Sequence, residues 1–252
     1  MIAVELKNVS KRFKGQSVPA LDNVSVQIEE GEFVTILGSS GCGKTTLIKM
    51  LNRLYEPDSG EIYLFGQNIQ AQNPVALRRK IGYVIQQVGL FPQMTVKDNI
   101  ATIPKILKWD KRRIREETDR MLRLVQLAPD EFRDRYPAQL SGGQQQRIGL
   151  ARALICDPRL MLLDEPFGAI DAINRELLQN ELKSIHQQSG KTYLFVTHDI
   201  REALKLGTKV MIMNEGKILQ YDAPEEIVNH PADAFVENLI RTADLKGGGG
   251  HD

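Results

Sequence analysis

The chain has 252 residues, of which 42% are hydrophobic and 26% are charged, a composition typical of a globular protein with a large apolar core. Its formal net charge of +1 gives no electrostatic reason to expect a nucleic-acid partner. The two cysteines form no C-x-x-C motif, no apolar run reaches membrane-spanning length, and the N-terminus does not resemble a signal peptide, so we expect a reduced, cytosolic chain.

The N-terminal segment alternates short apolar runs with Asn, Asp and Gly residues, a pattern typical of strands joined by turns. We predict strands over residues 3–9, 21–28, 33–37 and 61–66. Together they predict an antiparallel β layer.

The strand at 33–37 leads into a glycine-rich loop, and a helix is predicted from about residue 46. Residues 38–45 match the pattern G-x-x-x-x-G-K-[ST], whose glycines let consecutive backbone N–H groups point at phosphate oxygens. The helix N-terminus adds positive charge. We expect Lys44 to bind the β- and γ-phosphates of a nucleotide and Thr45 to hold Mg²⁺. The predicted nucleotide-binding residues of this loop are Gly38, Ser39, Ser40, Gly41, Cys42, Gly43, Lys44, Thr45 and Thr46.

The middle of the chain, from about residue 96 to residue 153, has a helical pattern, as in residues 114–125. An apolar run at 160–163 predicts a strand that is buried on both faces. A helix at 175–188, a strand at 191–196, a helix at 201–206 and a hairpin of residues 210–213 and 217–220 are predicted next. This alternation of strands and helices predicts an α/β fold with a parallel sheet.

Two carboxylates, Asp164 and Glu165, follow the buried run 160–163. Ligands of α/β proteins lie at the carboxyl ends of the strands. We therefore expect Asp164 to bind Mg²⁺, directly or through water, and Glu165 to orient or deprotonate an attacking water.

A second glycine-rich segment, Leu140-Ser141-Gly142-Gly143-Gln144, precedes a good helix. Ser141 can cap that helix, and the two glycines leave backbone N–H groups accessible, so this segment predicts a second anion site at a helix N-terminus. Taken alone, the segment is better explained as an ordinary capped helix start.

Residues 140–144 resemble the signature motif of the ATP-binding cassette (ABC) family, and four other positions resemble further motifs of that family. Gln86 resembles the Q-loop glutamine, Asp171 the D-loop aspartate, His198 the switch histidine and Phe13 the aromatic residue that stacks on adenine. Ile170 departs from the usual Leu of the D-loop without a large change in volume.

The resemblance implies a P-loop NTPase fold of the ABC type, in which an ATP-binding core is joined to an antiparallel β subdomain and a helical subdomain. It implies ATP and Mg²⁺ as cofactors, with Glu165, His198 and Gln86 catalytic, and with Thr45, Gln86 and Asp164 at the metal. It also implies a head-to-tail homodimer that ATP closes and hydrolysis opens. The residues implied to reach the nucleotide bound by the other subunit are Ser141, Gly142, Gly143, Gln144 and Asp171.

The domain boundaries that we expect follow from these motifs. Residues 1–240 form the nucleotide-binding domain, with the ATP-binding core and β layer at about 1–90 and 158–226 and the helical subdomain at about 91–157. Residues 241–252, which include four consecutive glycines, are predicted to be a flexible tail.

Besides a transporter ATPase, two other classes of function compete: a soluble ABC protein of DNA repair or translation, and a small-molecule kinase. A repair ATPase would carry a long coiled coil between Thr45 and Asp164, and no sustained heptads occur there. A translation factor usually joins two such cassettes, and a small-molecule kinase would not explain residues 140–144. We therefore predict the ATPase subunit of a membrane transporter, at the cytoplasmic face of the membrane and attached through permease subunits.

Two further segments narrow the prediction. Leu90, Phe91 and Met94 are candidates for a groove that receives a helix of the permease. Residues 77–92 and 106–109 resemble the ATPases of importers of glycine betaine, choline or carnitine, which work with a separate substrate-binding protein. The alternatives are the ATPase of a polar amino-acid importer and a soluble ABC protein without a transport role.

Overall fold

The structure is a computed structural model, and it describes residues 1–85, 89–168 and 170–245. The chain divides into two compact units. The first unit comprises Met1–Leu77 and the chain from Gly190 onward, and the second unit comprises Arg78–Ser189.

The strands of the described residues are β1 (Ile2–Lys11), β2 (Leu21–Glu29), β3 (Phe33–Gly38), β4 (Ser59–Leu64), β5 (Gln67–Asn68), β6 (Ile81–Val84), β7 (Leu160–Asp164), β8 (Thr192–Val196), β9 (Lys209–Asn214) and β10 (Lys217–Asp222). The α-helices are α1 (Lys44–Leu51), α2 (Pro74–Arg78), α3 (Val96–Ile100), α4 (Thr102–Ile106), α5 (Lys111–Leu124), α6 (Pro129–Phe132), α7 (Gly142–Leu154), α8 (Ala172–Ser189), α9 (Ile200–Leu206), α10 (Pro224–Asn229) and α11 (Ala234–Leu245).

The first unit contains a predicted antiparallel layer, with the strand order β2-β1-β4-β5. The strand predicted at 33–37 is β3, which belongs to the other sheet and not to this layer. The largest differences in boundaries are at β1, which ends at Lys11 rather than at residue 9, and at β4, which spans Ser59–Leu64 rather than residues 61–66. Phe65 and Gly66 both have positive φ, 51° and 76°, and they form the turn into β5.

The phosphate-loop strand β3 lies between β8 and β9 and pairs in parallel with both. Every residue of β3 and of β8 is buried, which explains why both strands are mostly apolar. Phe33 packs against Tyr193 and Phe195 with ring centroids 5.3 and 5.9 Å apart. The predicted hairpin is confirmed, since β10 pairs antiparallel with β9 across Glu215 and Gly216, whose φ angles are 46° and 77°.

The last helices of the first unit, α10 and α11, were not predicted. Ile227 of α10 and Val236 of α11 are fully buried and join a cluster with Leu37, Val210 and Ile212. Helix α11 reaches Leu245, so residues 241–245 are helical although the sequence analysis assigned them to a tail. The rest of the expected tail, residues 246–252, lies outside the described residues.

The second unit contains the parallel strand pair β6 and β7 and the helices from α3 to α8. Strand β6 was not predicted, because it is short and contains Gly82. A Cβ atom at that glycine would lie 2.1 Å from the Met161 sulfur, so close packing against β7 requires glycine there. Helix α5 buries Thr118, Met121 and Leu122 on one face and exposes most of its charges on the other. No helix of the described residues is long and apolar enough to span a membrane.

Candidate nucleotide-binding site

The phosphate loop of the first unit connects the buried strand β3 to the start of α1. Three of its glycines have positive φ, with values of 155° at Gly38, 79° at Gly41 and 110° at Gly43. A Cβ atom would lie 2.0 Å from the Met213 carbonyl oxygen at Gly38 and 2.3 Å from the Ala20 carbonyl oxygen at Gly43. Both the backbone angle and the space therefore demand glycine at these two positions.

Lys44 is the first residue of α1 and only 7% exposed. Its ammonium donates to the carbonyl oxygens of Gly38 and Ser39, at 2.8 and 2.9 Å, and lies 3.8 Å from the sulfur of the buried Cys42. The positive charge is thus held inside the curve of the loop, where a phosphate group would replace weak carbonyl acceptors with charged ones.

The outer residues of the loop are open. Ser39, Ser40, Gly41 and Thr45 are exposed, and Thr46 is half-buried. Ser39 donates to the Asn214 side chain at 3.0 Å, which fixes the start of the loop to the end of β9. Asn214 was not predicted as a site residue, because its contact with Ser39 depends on the parallel pairing of β9 with β3.

The predicted adenine-stacking residue, Phe13, belongs to the first unit and is half-buried. Its ring packs edge-on against Tyr55 with centroids 5.1 Å apart, and the Lys11 ammonium lies 5.8 Å from its centroid. Tyr55 therefore holds the ring from one side, although the sequence analysis did not single out Tyr55.

His198 follows the buried strand β8 and is exposed. The residues beside it are fixed: the buried Thr197 hydroxyl donates to Glu202 and accepts from the Asp199 backbone N–H. Asp199 in turn caps α9 by accepting from the N–H groups of Arg201 and Glu202. This capped turn sets the backbone position of His198 at the carboxyl end of the strand.

In the second unit, Asp164 and Glu165 lie where the sequence predicted them, at the carboxyl end of β7. Asp164 is the last residue of this fully buried strand and is 5% exposed. Glu165 is half-buried and has a φ of 48°. A positive φ is unfavourable for a glutamate, so the surrounding structure holds this backbone conformation at the end of β7.

The signature segment also has the predicted form. Ser141 caps α7 by accepting from the Gln144 N–H at 3.3 Å, while the Gln144 side chain accepts from the Ser141 N–H at 3.0 Å. Gly142 is exposed and Gly143 is half-buried. The 13-residue helix α7 therefore begins with its first N–H groups at the surface of the second unit.

Asp171 is held by Asn174, which donates to it from its backbone N–H at 3.1 Å and from its side chain at 2.8 Å. These donors hold the pKa of Asp171 below its usual value. Arg147 of α7 donates to the Asn174 side chain at 3.0 Å and to the Val125 carbonyl oxygen at 3.3 Å. Burial lowers the pKa of Arg147, and the charge of Asp171 opposes this shift. Arg147 and Asn174 were missed, because their role appears only when α7 packs beside the start of α8.

One predicted site residue cannot be placed. Gln86, which is predicted to act in catalysis and to bind the metal, lies outside the described residues. Ala169, which directly precedes the D-loop-like residues Ile170 and Asp171, also lies outside them. The other predicted site residues divide between the two units. The phosphate loop, Phe13 and His198 belong to the first unit, and Asp164, Glu165, residues 141–144 and Asp171 belong to the second.

A phosphate loop after a buried strand, a carboxylate pair after another and a capped glycine-rich helix start define a class of P-loop protein with a second glycine-rich helix N-terminus. The family model described as ABC transporter matches residues 21–168. The match covers more than half of the chain, so the chain belongs to the ABC transporter family.

The chain is similar to curated proteins over nearly its whole length. It is 53% identical over 235 residues to the choline transport ATP-binding protein OpuBA of Bacillus subtilis, covering 93% of this chain and 61% of that protein. It is 44% identical over 242 residues to the glycine betaine uptake system ATP-binding protein YehX of Escherichia coli, covering 96% of this chain and 78% of that protein. The chain thus spans less than two thirds of the length of the first of these relatives.

A solved structure also aligns with the chain. It is a dimeric structure of a post-hydrolysis state of the ATP-binding cassette MJ0796 bound to ADP and Pi, with a TM-score of 0.80 and 36% sequence identity. The alignment covers 88% of this chain and 98% of that one. The predicted ABC-type fold is therefore confirmed.

Proposed function

We propose that this chain is the ATP-hydrolysing subunit of an ABC importer for quaternary-ammonium osmolytes. The assignment of ATP hydrolysis rests on one observation: the same chain contains a phosphate loop and an exposed, capped glycine-rich helix start. In this proposal two copies bind two ATP molecules head to tail, and each ATP lies between the loop of one copy and residues 141–144 of the other.

The phosphate loop fits the triphosphate of ATP. The loop is a cradle in which Gly38 and Gly43 leave no space for a Cβ atom, and Lys44 holds a positive charge inside it. The Thr45 hydroxyl and the Asp164 carboxylate are proposed to supply oxygen ligands, which Mg²⁺ prefers. One or two protein ligands are enough, because phosphate oxygens and water molecules would fill the other coordination positions of the ion. Bound Mg²⁺ would neutralise charge on the β- and γ-phosphates. Gln86 is a further proposed ligand, and Phe13 is proposed to stack on adenine.

Glu165 is proposed to accept a proton from the water that attacks the γ-phosphorus, while the bond to the β-phosphate oxygen breaks. His198 is proposed to donate a hydrogen bond to the γ-phosphate from its fixed position after β8.

Gly143 gives the strongest structural support for a second copy. A Cβ atom there would meet only the Ile170 side chain, at 3.9 and 4.0 Å, which is ordinary van der Waals contact. The described part of this chain therefore supplies no steric reason for glycine at position 143. Close approach of an anion bound to another molecule supplies one, because glycine leaves the helix N-terminus accessible.

The proposed permease site is a groove of about 320 Å³ in the second unit, and Phe91 is the one predicted docking residue that lines it. Its other lining residues include the apolar Ile81 and Ile103 and the arginines Arg78, Arg79 and Arg152. Phe91 is 40% exposed. The fully buried Asn99 holds the Phe91 backbone from both sides: its side chain accepts from the N–H at 2.7 Å and donates to the carbonyl oxygen at 3.1 Å. A rigidly held apolar ring at a groove suits a docking helix. Leu90 and Met94, the other predicted docking residues, are half-buried.

The cargo class is proposed from the names of the relatives. Choline and glycine betaine are both quaternary amines, and a cation without N–H donors is bound best by aromatic faces on a separate binding protein. The chain itself would sit at the cytoplasmic face of the membrane through its permease.

The test is uptake by cells that express the chain with its permease and binding protein. We expect import of labelled choline, carnitine and glycine betaine, without competition by unlabelled polar amino acids. Cells that express the Glu165→Gln variant should show no uptake. Competition by arginine or glutamine, with no uptake of quaternary amines, would contradict the cargo assignment and leave the ATPase assignment standing. Uptake at the wild-type rate by the variant would contradict the ATPase assignment.

A further inference from the structure

A compact, strongly basic turn joins α4 to α5 in the second unit, and we call residues 105–115 the basic hairpin. It contains six cationic residues and one acid, Asp110, so its net charge is +5. The whole chain has a net charge of +1, so the rest of the chain carries a net −4. The positive charge is therefore concentrated in this hairpin. The cationic residues are Lys105, Lys108, Lys111, Arg112, Arg113 and Arg115.

The basic hairpin also exposes apolar side chains at its tip. Ile106 is 50% exposed and Leu107 is 39% exposed, and both are flanked by lysines. Trp109 follows them, half-buried, with the Arg113 guanidinium 3.8 Å from its ring centroid. Exposed aliphatic groups, an aromatic ring and surrounding cations are the combination that inserts into the headgroup region of a bilayer.

The shape of the basic hairpin is fixed by its own backbone. Lys108 has a φ of 55°, and the N–H groups of Lys108 and Trp109 donate to the carbonyl oxygens of Lys105 and Pro104, both at 3.0 Å. Asp110 then caps α5 by accepting from the N–H groups of Arg112 and Arg113 at 2.8 and 3.1 Å. The apolar tip is therefore presented without a large ordering cost on binding.

A cavity of about 370 Å³ adjoins the basic hairpin and is lined by Lys105, Lys111 and Arg115 among other residues. Its three lining carboxylates each pair with a lining Lys or Arg. Lys111 and Arg115 have no ion pair with any residue that the structure describes. The cavity therefore has two uncompensated positive charges, which suit a phosphate oxyanion.

We propose that the basic hairpin binds the surface of an anionic phospholipid bilayer. Ile106 and Leu107 enter the headgroup region, and Lys111 and Arg115 bind a lipid phosphate at the cavity. An acidic protein segment would satisfy the cations but would leave the apolar tip and Trp109 in water, so the bilayer accounts for more of the observed features. The interaction needs neither ATP nor a permease, so it stands apart from the proposed transport role.

The test uses the intrinsic fluorescence of Trp109, which is the one tryptophan of the chain. The purified full chain is titrated with vesicles of phosphatidylcholine and with vesicles of equal parts phosphatidylglycerol and phosphatidylcholine. We expect a blue shift of the emission with the anionic vesicles alone, weakened by added KCl. The absence of a shift with anionic vesicles would overturn the proposal, as would an equal shift with neutral ones.

Three variants locate the site. Lys108→Gln/Lys111→Gln/Arg115→Gln removes three charges without breaking an ion pair. Each charge contributes about a fivefold factor to the affinity for anionic vesicles, so this affinity should fall roughly 100-fold at low salt. The control Lys14→Gln/Lys80→Gln/Arg123→Gln removes three exposed charges elsewhere, has the same net charge as the test variant and should bind as the wild type does. Ile106→Ser/Leu107→Ser should lose the blue shift. Equal losses in the control, or an unchanged shift in the serine variant, would overturn the assignment to the basic hairpin.

Poly-glutamate tests the competing occupant. Under our proposal it leaves the Trp109 emission unshifted, because it offers charge without an apolar phase. A blue shift with poly-glutamate as large as that with anionic vesicles would overturn the bilayer assignment in favour of an acidic protein partner. Circular dichroism of each variant establishes that it is folded before its binding is compared.

Discussion

Replacing Gly143 by alanine separates the proposed role of the signature segment from any role in folding. The added methyl group would lie 3.9 Å from the nearest Ile170 carbon, so it needs no rearrangement within the second unit. Gly143 is the second residue of α7, and alanine is favoured over glycine by about 0.5–1 kcal/mol inside helices. We therefore expect Gly143→Ala to raise the free energy of unfolding slightly, by up to about 1 kcal/mol.

ATP hydrolysis by the same variant should fall steeply. If the helix N-terminus binds the phosphates of an ATP held by another copy, a methyl group displaces them from the N–H donors. Removing one preorganised donor from a developing anion typically costs roughly 10²–10³-fold in rate. Urea unfolding and steady-state phosphate release, measured on the same preparation, test both halves of this prediction.

Gly38→Ala is the matched control, because its added Cβ would lie 2.0 Å from the Met213 carbonyl oxygen at a φ of 155°. We expect this variant to lose roughly 4 kcal/mol or more of stability, or to fail to fold. A Gly143→Ala protein that is stable and hydrolyses ATP at the wild-type rate would refute the proposed role of the signature segment.

Three further substitutions test the other parts of the account. Lys44→Ala should remain folded and lose nucleotide binding in calorimetry; wild-type affinity would contradict the role of its ammonium in the loop. Glu165→Gln should bind ATP but hydrolyse it roughly 10²–10⁴-fold more slowly, and it should elute as a dimer with ATP in size-exclusion chromatography. A variant that turns over normally as a monomer would contradict both the base and the dimer. Phe91→Lys should uncouple transport while hydrolysis by the isolated subunit survives, because an unpaired charge is costly at a docking site and the Arg152 guanidinium, 5.9 Å from the Phe91 ring centroid, cannot pair with a lysine; loss of basal hydrolysis and of folding would show that the ring is structural.

Much of the first unit could be predicted because its strands carry local signals. Strand β3 is mostly apolar, its glycine loop has a fixed spacing, and the turn at Glu215 and Gly216 separates two short strands. The positions of Ser141 and Asp164 followed from the same local patterns. These features depend on a few consecutive residues, so a single sequence reveals them.

The elements that were missed depend on contacts distant in sequence. Strand β6 contains Gly82, whose need for glycine comes from Met161, and α11 is stabilised by burying Val236 against β9 and β3. The roles of Asn214 and Arg147 likewise arise only after strands pair and helices pack. Periodicity within a segment carries no information about such partners.

The central claim is that each ATP is shared between two copies, and mixing two inactive variants tests it most directly. A Lys44→Ala subunit lacks the phosphate clamp and a Gly143→Ala subunit lacks the signature contact, so each homodimer should be inactive. In a mixed dimer the loop of the Gly143→Ala subunit meets the intact signature of the Lys44→Ala subunit, and one functional site is restored. With random pairing, equal amounts should recover roughly a quarter of the wild-type rate of phosphate release. A mixture that stays as inactive as its components, although crosslinking shows that mixed dimers form with ATP, would contradict the shared site.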